Sequence, residues 1–404
     1  MNTIELFAGC GGLLEGFERS GYYTLLSGVE WDQSPVRELR TWLHDRYNID
    51  DAEQRILRFD IQRTDELIDG WIDDEYGRSE GMDSVLRGEP VDVIVGGPPC
   101  QAYSIAGRIR DENGMRDDYR NYLFESYLRI VDYYRPKAFV FENVPGILSA
   151  KPGNEGLPII DRIKDAFNQA RYTVIDDLSK AVVDMTEYGV PQKRKRVIIL
   201  GLNRDIYGER CLEMLNDFYN VHLPSQKEEL MTVEEAIGDL PRLLPLDEPI
   251  RWEGRRLSHS LPDPMINGHI SRFHSRRDID VFRMLEEDIE SGRNQYMSTE
   301  ALRELYTSLT GRDSNIHKYH VLRWDEPSNL IPAHLFKDGL RHIHPDSAQA
   351  RTITVREAAR LQTFPDEYIF HGSQTDSFKM IGNAVPPKFA EKAAIALYEV
   401  IRER

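Results

Sequence analysis

Residues 1–203 alternate short apolar runs with longer amphipathic ones. The apolar runs begin at Thr3, Leu25, Ile56, Val91, Ala138 and Val197, and each is four or five residues of β-branched, leucine or aromatic character. Between them, spacings of three and four predict helices over 13–20, 35–47, 122–134 and 158–170. In the last of these, Ile159, Ile160, Ile163, Ala166 and Phe167 share one face. Strand alternating with helix is the signature of an α/β fold, here an open, doubly wound, mostly parallel sheet.

After Leu202 the pattern breaks. Pro224, Pro241, Pro245, Pro249, Pro262 and Pro264 punctuate mixed turns, with one clear helix over 278–291, and this stretch reads as a second domain. At Thr354 a capping box predicts a helix start, the hydroxyl bonding the Glu357 amide while the glutamate reaches back. A final helix follows Pro386-Pro387, with Phe389, Ala393, Ala396, Leu397 and Val400 as its apolar stripe.

Composition narrows the class. A chain of 404 residues with 40% hydrophobic content can fill two cores. No window approaches the roughly 18 apolar residues of a membrane span. Residues 1–7 lack the basic start of a secretion signal, so the expected compartment is the cytoplasm. Cys10, Cys100 and Cys211 are too few and too scattered for a disulfide framework or a cysteine zinc site, and no metal is expected. The net charge of −17 opposes long-range attraction to any polyanion, but it is uneven. Residues 65–92 carry ten acids against two arginines, whereas 251–277 carry six arginines against Glu253 and Asp263, leaving room for a local basic face.

Three strand ends suggest a nucleoside ligand. Phe7-Ala8-Gly9-Cys10-Gly11-Gly12 lies where the first strand turns into the first helix, and glycines there let a ligand approach the backbone. Glu30 ends the second strand, where a carboxylate can take both ribose hydroxyls, with Trp31 beside it for packing. Asp60 follows the third and can accept from an adenine amino group. The glycine spacing falls short of a nicotinamide fingerprint, which favours S-adenosylmethionine.

The next strands bring reactive groups. The fourth runs into Gly96-Gly97-Pro98-Pro99-Cys100-Gln101, and the fifth delivers Glu142-Asn143-Val144 to the same edge of the sheet, where doubly wound folds keep their sites. Gln192-Lys193-Arg194-Lys195-Arg196 leads into the strand at Val197, and alternation points Arg194 and Arg196 to one face.

On these segments, residues 7–12, 97–101, 142–144, 192–196, 351–366 and 382–387, the chain resembles the cytosine-5 DNA methyltransferase family of restriction-modification type, over nearly its whole length and in the expected order. The resemblance implies a Rossmann-like class I methyltransferase domain over 1–204, completed by 380–404, and a smaller target-recognition domain over 205–379. It implies that Cys100 attacks cytosine carbon 6, that Glu142 bonds N3 and the amino group, and that Arg196, with Arg194 nearby, holds O2. Cofactor contacts are implied for Phe7, Gly9, Gly11, Gly12, Glu30, Trp31, Asp60, Ile61, Pro98, Asn383 and Val385, with S-adenosyl-L-homocysteine as product.

DNA contacts are expected from Gln101, Ser104 and Arg108 in a polar segment able to close over a flipped base, and from Arg272, Arg276, Arg277 and Arg323 in the recognition region. The expected partner is double-stranded DNA, acted on by a monomer, with a cognate restriction endonuclease or other defence protein as a further partner. Three alternatives stand beside this: a transfer-RNA cytosine-5 methyltransferase, a non-catalytic DNA-binding protein of the same fold, and, more remotely, a nicotinamide oxidoreductase.

Overall fold

The computed structural model describes residues 1–99, 123–151, 158–313, 319–337 and 339–402. Five strands run parallel: β1 (Asn2–Leu6), β2 (Thr24–Glu30), β3 (Ile56–Arg58), β4 (Val93–Gly96) and β5 (Ala138–Asn143). Their near-continuous apolar character follows from burial on both faces, which parallel sheets require. The sheet gains β6 (Tyr172–Val174), β7 (Val182–Asp184) and β8 (Lys195–Asn203), all joined through antiparallel pairing with β8. Among the described residues the order is β3-β2-β1-β4-β5-β8-β6, with β7 beside the start of β8. The mostly parallel, doubly wound reading therefore holds, with an antiparallel edge.

Register aligns the chemistry. Leu6 pairs with Val29 and Gly96, Glu30 with Arg58, and Gly96 with Phe141, so the carboxyl ends of all five parallel strands share one edge. Because β8 runs the opposite way, pairing Val197 with Asn143, its beginning lies at that same edge.

The chain divides into two units. The first comprises 1–189, 195–229 and 384–404. Its helix Gly12–Arg19 packs on the helix Pro387–Ile401 at contact distance, since a Cβ on Gly16 would stand 2.3 Å from that of Ala390. The first unit runs on to Glu229, beyond the 204 that the resemblance implies. Tyr219 explains the difference, because its hydroxyl donates to the Ile198 carbonyl and accepts from the Leu200 amide, tying the helical stretch after Cys211 to β8.

The second unit comprises 190–194 and 230–383. Phe282, Leu285, Tyr319 and Ile343 lie in its core, packed along the helix Arg276–Glu290, which closely matches the helix expected over 278–291. The capping box at Thr354 is formed, opening the helix Val355–Leu361. Glu357 goes further, taking both terminal nitrogens of the fully buried Arg351 at 2.7 and 2.6 Å. Gln192 joins this unit through the Leu361 carbonyl and a bridge to Ser328. The upper boundary falls after Asn383, rather than 379, because the helix Gln374–Asn383 buries Phe378 and Ile381 here and sets Gly382 against Ala333. Among the described residues no helix is long and apolar enough to cross a membrane.

Candidate active site

The end of β4, the end of β5 and the start of β8 supply three groups to one place in the first unit. Arg196 Nε lies 2.9 Å from Glu142 Oε1, with the two side chains 12% and 13% exposed. That low exposure shields the pair from much of the bulk water, and a shielded charge pair is stronger than one at the surface. Arg196 Nη1 also donates to the Lys195 carbonyl.

Glu142 is held from the other side by glycine. A Cβ on Gly97 would stand 2.5 Å from Glu142 Oε2, so the carboxylate rests directly over the Gly97 backbone. Asn143 Nδ2 donates to the Pro98 carbonyl at 3.3 Å, which ties the exits of β4 and β5 together two residues before Cys100 in the chain. Cys100, Gln101, Ser104 and Arg108 lie outside the described residues. The other cysteines are poor nucleophiles: burial pushes the thiols of Cys10 and Cys211 up, against thiolate formation.

Arg194 takes a different position from the one alternation suggests. It precedes β8, is fully buried in the second unit, and donates to the carbonyls of Ile331 and Gly382. Period-two alternation applies only within a strand, and the strand begins at Lys195.

The first turn is shaped for close approach. Phe7 and Gly9 have φ of 58° and 54°, in the left-handed region, and the position a Gly9 Cβ would take has nothing within 4 Å. Glu30 faces this turn: Oε2 accepts from the Gly9 amide, and Oε1 from the Trp31 and Asp32 amides, each at 2.9 Å. Burial raises its pKa from the ordinary carboxylate value, against the lowering effect of those amides. Trp31 is 57% exposed, leaving an aromatic face uncovered beside Glu30.

Gly11 ends the turn with φ of 79°, and Gly12 opens the helix so close to the Val385 carbonyl that a Cβ would lie 2.2 Å from it. Asp60 Oδ1 accepts from the Gln62 amide, Ile61 is buried, and Asn383 ends its helix in the second unit. The open cradle at Gly9, the braced carboxylate and the exposed indole fit an adenosine-bearing cofactor. No group of three or more metal-type side chains is found among the described residues.

One residue at this edge escaped the sequence reading. Glu5, one residue from the end of β1, is buried with Oε2 unpartnered among the described residues, and burial, reinforced by Glu30, raises its carboxyl well above the usual range. The available signal was an acid between Ile4 and Leu6 in an otherwise apolar strand.

The recognition-region arginines differ in availability. Arg272 donates to the Leu335 and Phe336 carbonyls and covers the Phe378 ring. Arg276 donates to the Asp247 carbonyl, Arg277 pairs with Asp278, and Arg323 approaches the Met297 sulfur at 2.9 Å.

Comparison with known proteins identifies the family and the fold. The family model for C-5 cytosine-specific DNA methylase matches residues 1–399. The chain is 33% identical to the type II methyltransferase M.Bpa9945I of Bacillus paralicheniformis, covering 99% of each. It is 31% identical to M.AgeI of Thalassovita gelatinovora, covering 96% of each. Among solved structures, a candidate DNA modification methyltransferase from an E. coli prophage shares the fold with a TM-score of 0.67 at 24% identity, covering 100% of both chains. The S. pombe Dnmt2 methyltransferase does so with a TM-score of 0.56 at 14% identity, again covering 100% of both.

Proposed function

The chain belongs to the C-5 cytosine-specific DNA methylase family, and from that premise we propose that it acts on a cytosine flipped out of duplex DNA, through a covalent adduct with Cys100. The observation that carries the reading is the Glu142–Arg196 pair, 2.9 Å apart at the sheet edge from which the chain leads through Pro98 to Cys100.

Cytosine carbon 5 is a weak nucleophile until its neighbour is attacked. In the proposed reaction the Cys100 thiolate forms a bond to carbon 6, and the π electrons of the ring move onto carbon 5 and N3. Glu142 receives N3 and the amino group and disperses the charge arriving there, while Arg196 polarises O2, so both groups act most strongly as addition proceeds. S-adenosylmethionine, when bound, supplies an electrophilic methyl group for carbon 5 and leaves as S-adenosylhomocysteine. Cys100 then departs with its bonding electrons regained as the carbon 5 proton is lost to solvent base, which restores the ring. Arg194, buried on backbone carbonyls, is a positioning residue in this scheme.

The residues for the cofactor are those of the first turn and its surroundings: Glu30 for the ribose, Trp31 and Ile61 for the base, Asp60 for the amino group, and the Phe7–Gly12 backbone with Pro98 and Val385 around it; the resemblance adds Asn383. Gln101, Ser104 and Arg108 are proposed to contact DNA. The curated relatives are named type II methyltransferases, which supports a role in restriction-modification beside a cognate endonuclease.

A duplex in which the target cytosine carries fluorine at carbon 5 tests the reading, because fluorine cannot leave as the proton does. With S-adenosylmethionine present, we expect an SDS-stable protein–DNA complex whose peptide map places the link at Cys100. Bisulfite sequencing of DNA from expressing cells identifies the target site beforehand. Methylation without any trapped complex, or activity surviving in Cys100→Ala, contradicts the covalent route.

A further inference from the structure

We propose that a cavity of about 550 Å³ in the second unit, at the start of the helix Arg276–Glu290, is a docking site for a phosphodiester of the DNA backbone. This rests on the methyltransferase reading and says which kind of DNA contact this surface makes.

The lining is cationic. It contains Arg272, Arg277, Arg312 and Lys337, against the carboxylate of Asp278 among the described residues. That carboxylate is already engaged, with Oδ1 facing Arg277 and Oδ2 accepting from the Ser275 hydroxyl at 2.8 Å. His274 adds no charge, because burial lowers its pKa well below the ordinary value. Arg272 is committed to two backbone carbonyls. Arg312 and Lys337 are both exposed and have no acidic partner among the described residues. Two cations without an acidic partner among the described residues, in a concavity on a chain of net charge −17, are a local reversal of sign that a phosphate would satisfy.

Shape separates phosphate from base. Reading a base edge requires an element that projects into a groove, whereas this lining is concave and must receive a group projecting from the duplex. Phosphates project all along the duplex and stacked base edges do not, while the one flipped base is assigned to the site at Glu142 and Arg196. The rest of the lining suits that ligand: Tyr306 and Tyr319 bring phenolic hydroxyls, and the helix start adds its positive end.

The test compares binding of the cognate duplex and a random duplex from 50 to 200 mM salt for the wild type and the pair Arg312→Gln with Lys337→Gln. One phosphate contact contributes about 0.9 to the slope of log K against log salt. The slope is expected to fall by about 1 to 2, with affinity lost equally for both duplexes. The pair Arg312→Lys with Lys337→Arg should retain the wild-type slope, which separates charge from folding. An unchanged slope, or a loss confined to the cognate duplex, overturns the inference. So does a wild type stabilised against heat by inorganic phosphate whose duplex binding ignores both variants, since the cavity would then serve a free anion. A wild type that neither binds nor methylates duplex DNA overturns the methyltransferase reading instead.

Discussion

Arg196 and Glu142 meet diagonally across antiparallel strands. Glu142 is paired with Ile198, and Arg196 stands two residues earlier on the same face, a separation that a long side chain can span. Removing either partner leaves the other partly buried without its ion pair. Arg196→Ala and Glu142→Gln should each lower kcat by about 100- to 1000-fold, the range for losing one preorganised transition-state contact. Steady-state kinetics alongside duplex affinity checks this. A variant that loses affinity while kcat stays intact would remove the pair from the chemical step.

Gly97→Ala should act on Glu142 without unfolding the sheet. The new methyl would stand 2.5 Å from Oε2, the movable end of a side chain, so the carboxylate yields and its geometry toward Arg196 is lost. The expected result is a melting temperature within a few degrees of wild type together with a fall in kcat of at least about tenfold. Retained turnover would mean the carboxylate has room to spare.

Glu286 is a stability liability at neutral pH. Both carboxylate oxygens are buried without a partner among the described residues, and burial, with Asp346 and Glu290 nearby, raises its pKa to about 9. In the window between the ordinary 4.5 and about 9, the folded state holds a proton that the unfolded state has released, so stability falls as pH rises. Glu286→Gln keeps the shape and removes the ionisation. Its advantage in urea unfolding should grow from pH 5 to pH 8, reaching on the order of a few kcal/mol; a difference independent of pH would refute the assignment.

Acid should weaken the second unit for the opposite reason. Burial lowers His259 and His342 to about 4, and His344 to about 3, from the ordinary 6.5. Unfolded histidines bind protons first, so the stability held above pH 6.5 is lost as pH falls toward 4. Hydrogen exchange from pH 7 to pH 4.5 should show protection falling across residues 255–259 and 342–354. Flat protection throughout would show that these rings do not govern acid stability.

The chain order of strands, the glycine turn, the capping box at Thr354 and the ends of β4 and β5 were all legible by reading along the sequence. Each depends on contacts a few residues apart: apolar periodicity, positive φ at glycine, a hydroxyl facing an amide three positions on. Strand ends carry chemistry because parallel strands must all finish at one edge, so the placement of Gly97 and Glu142 could be inferred from topology alone.

Other features waited for the tertiary structure. The antiparallel direction of β8 decides that Arg196 faces Glu142, and the start of that strand decides that Arg194 is buried on Ile331 and Gly382 instead. Tyr219 ties residues beyond 204 to β8 through two hydrogen bonds, within a first unit that runs to Glu229. The cationic cavity joins Arg277, Arg312 and Lys337 from separate segments. The physical reason is common to all: burial, pairing direction and charge proximity are set by residues distant in sequence, and no local pattern encodes which of them will meet.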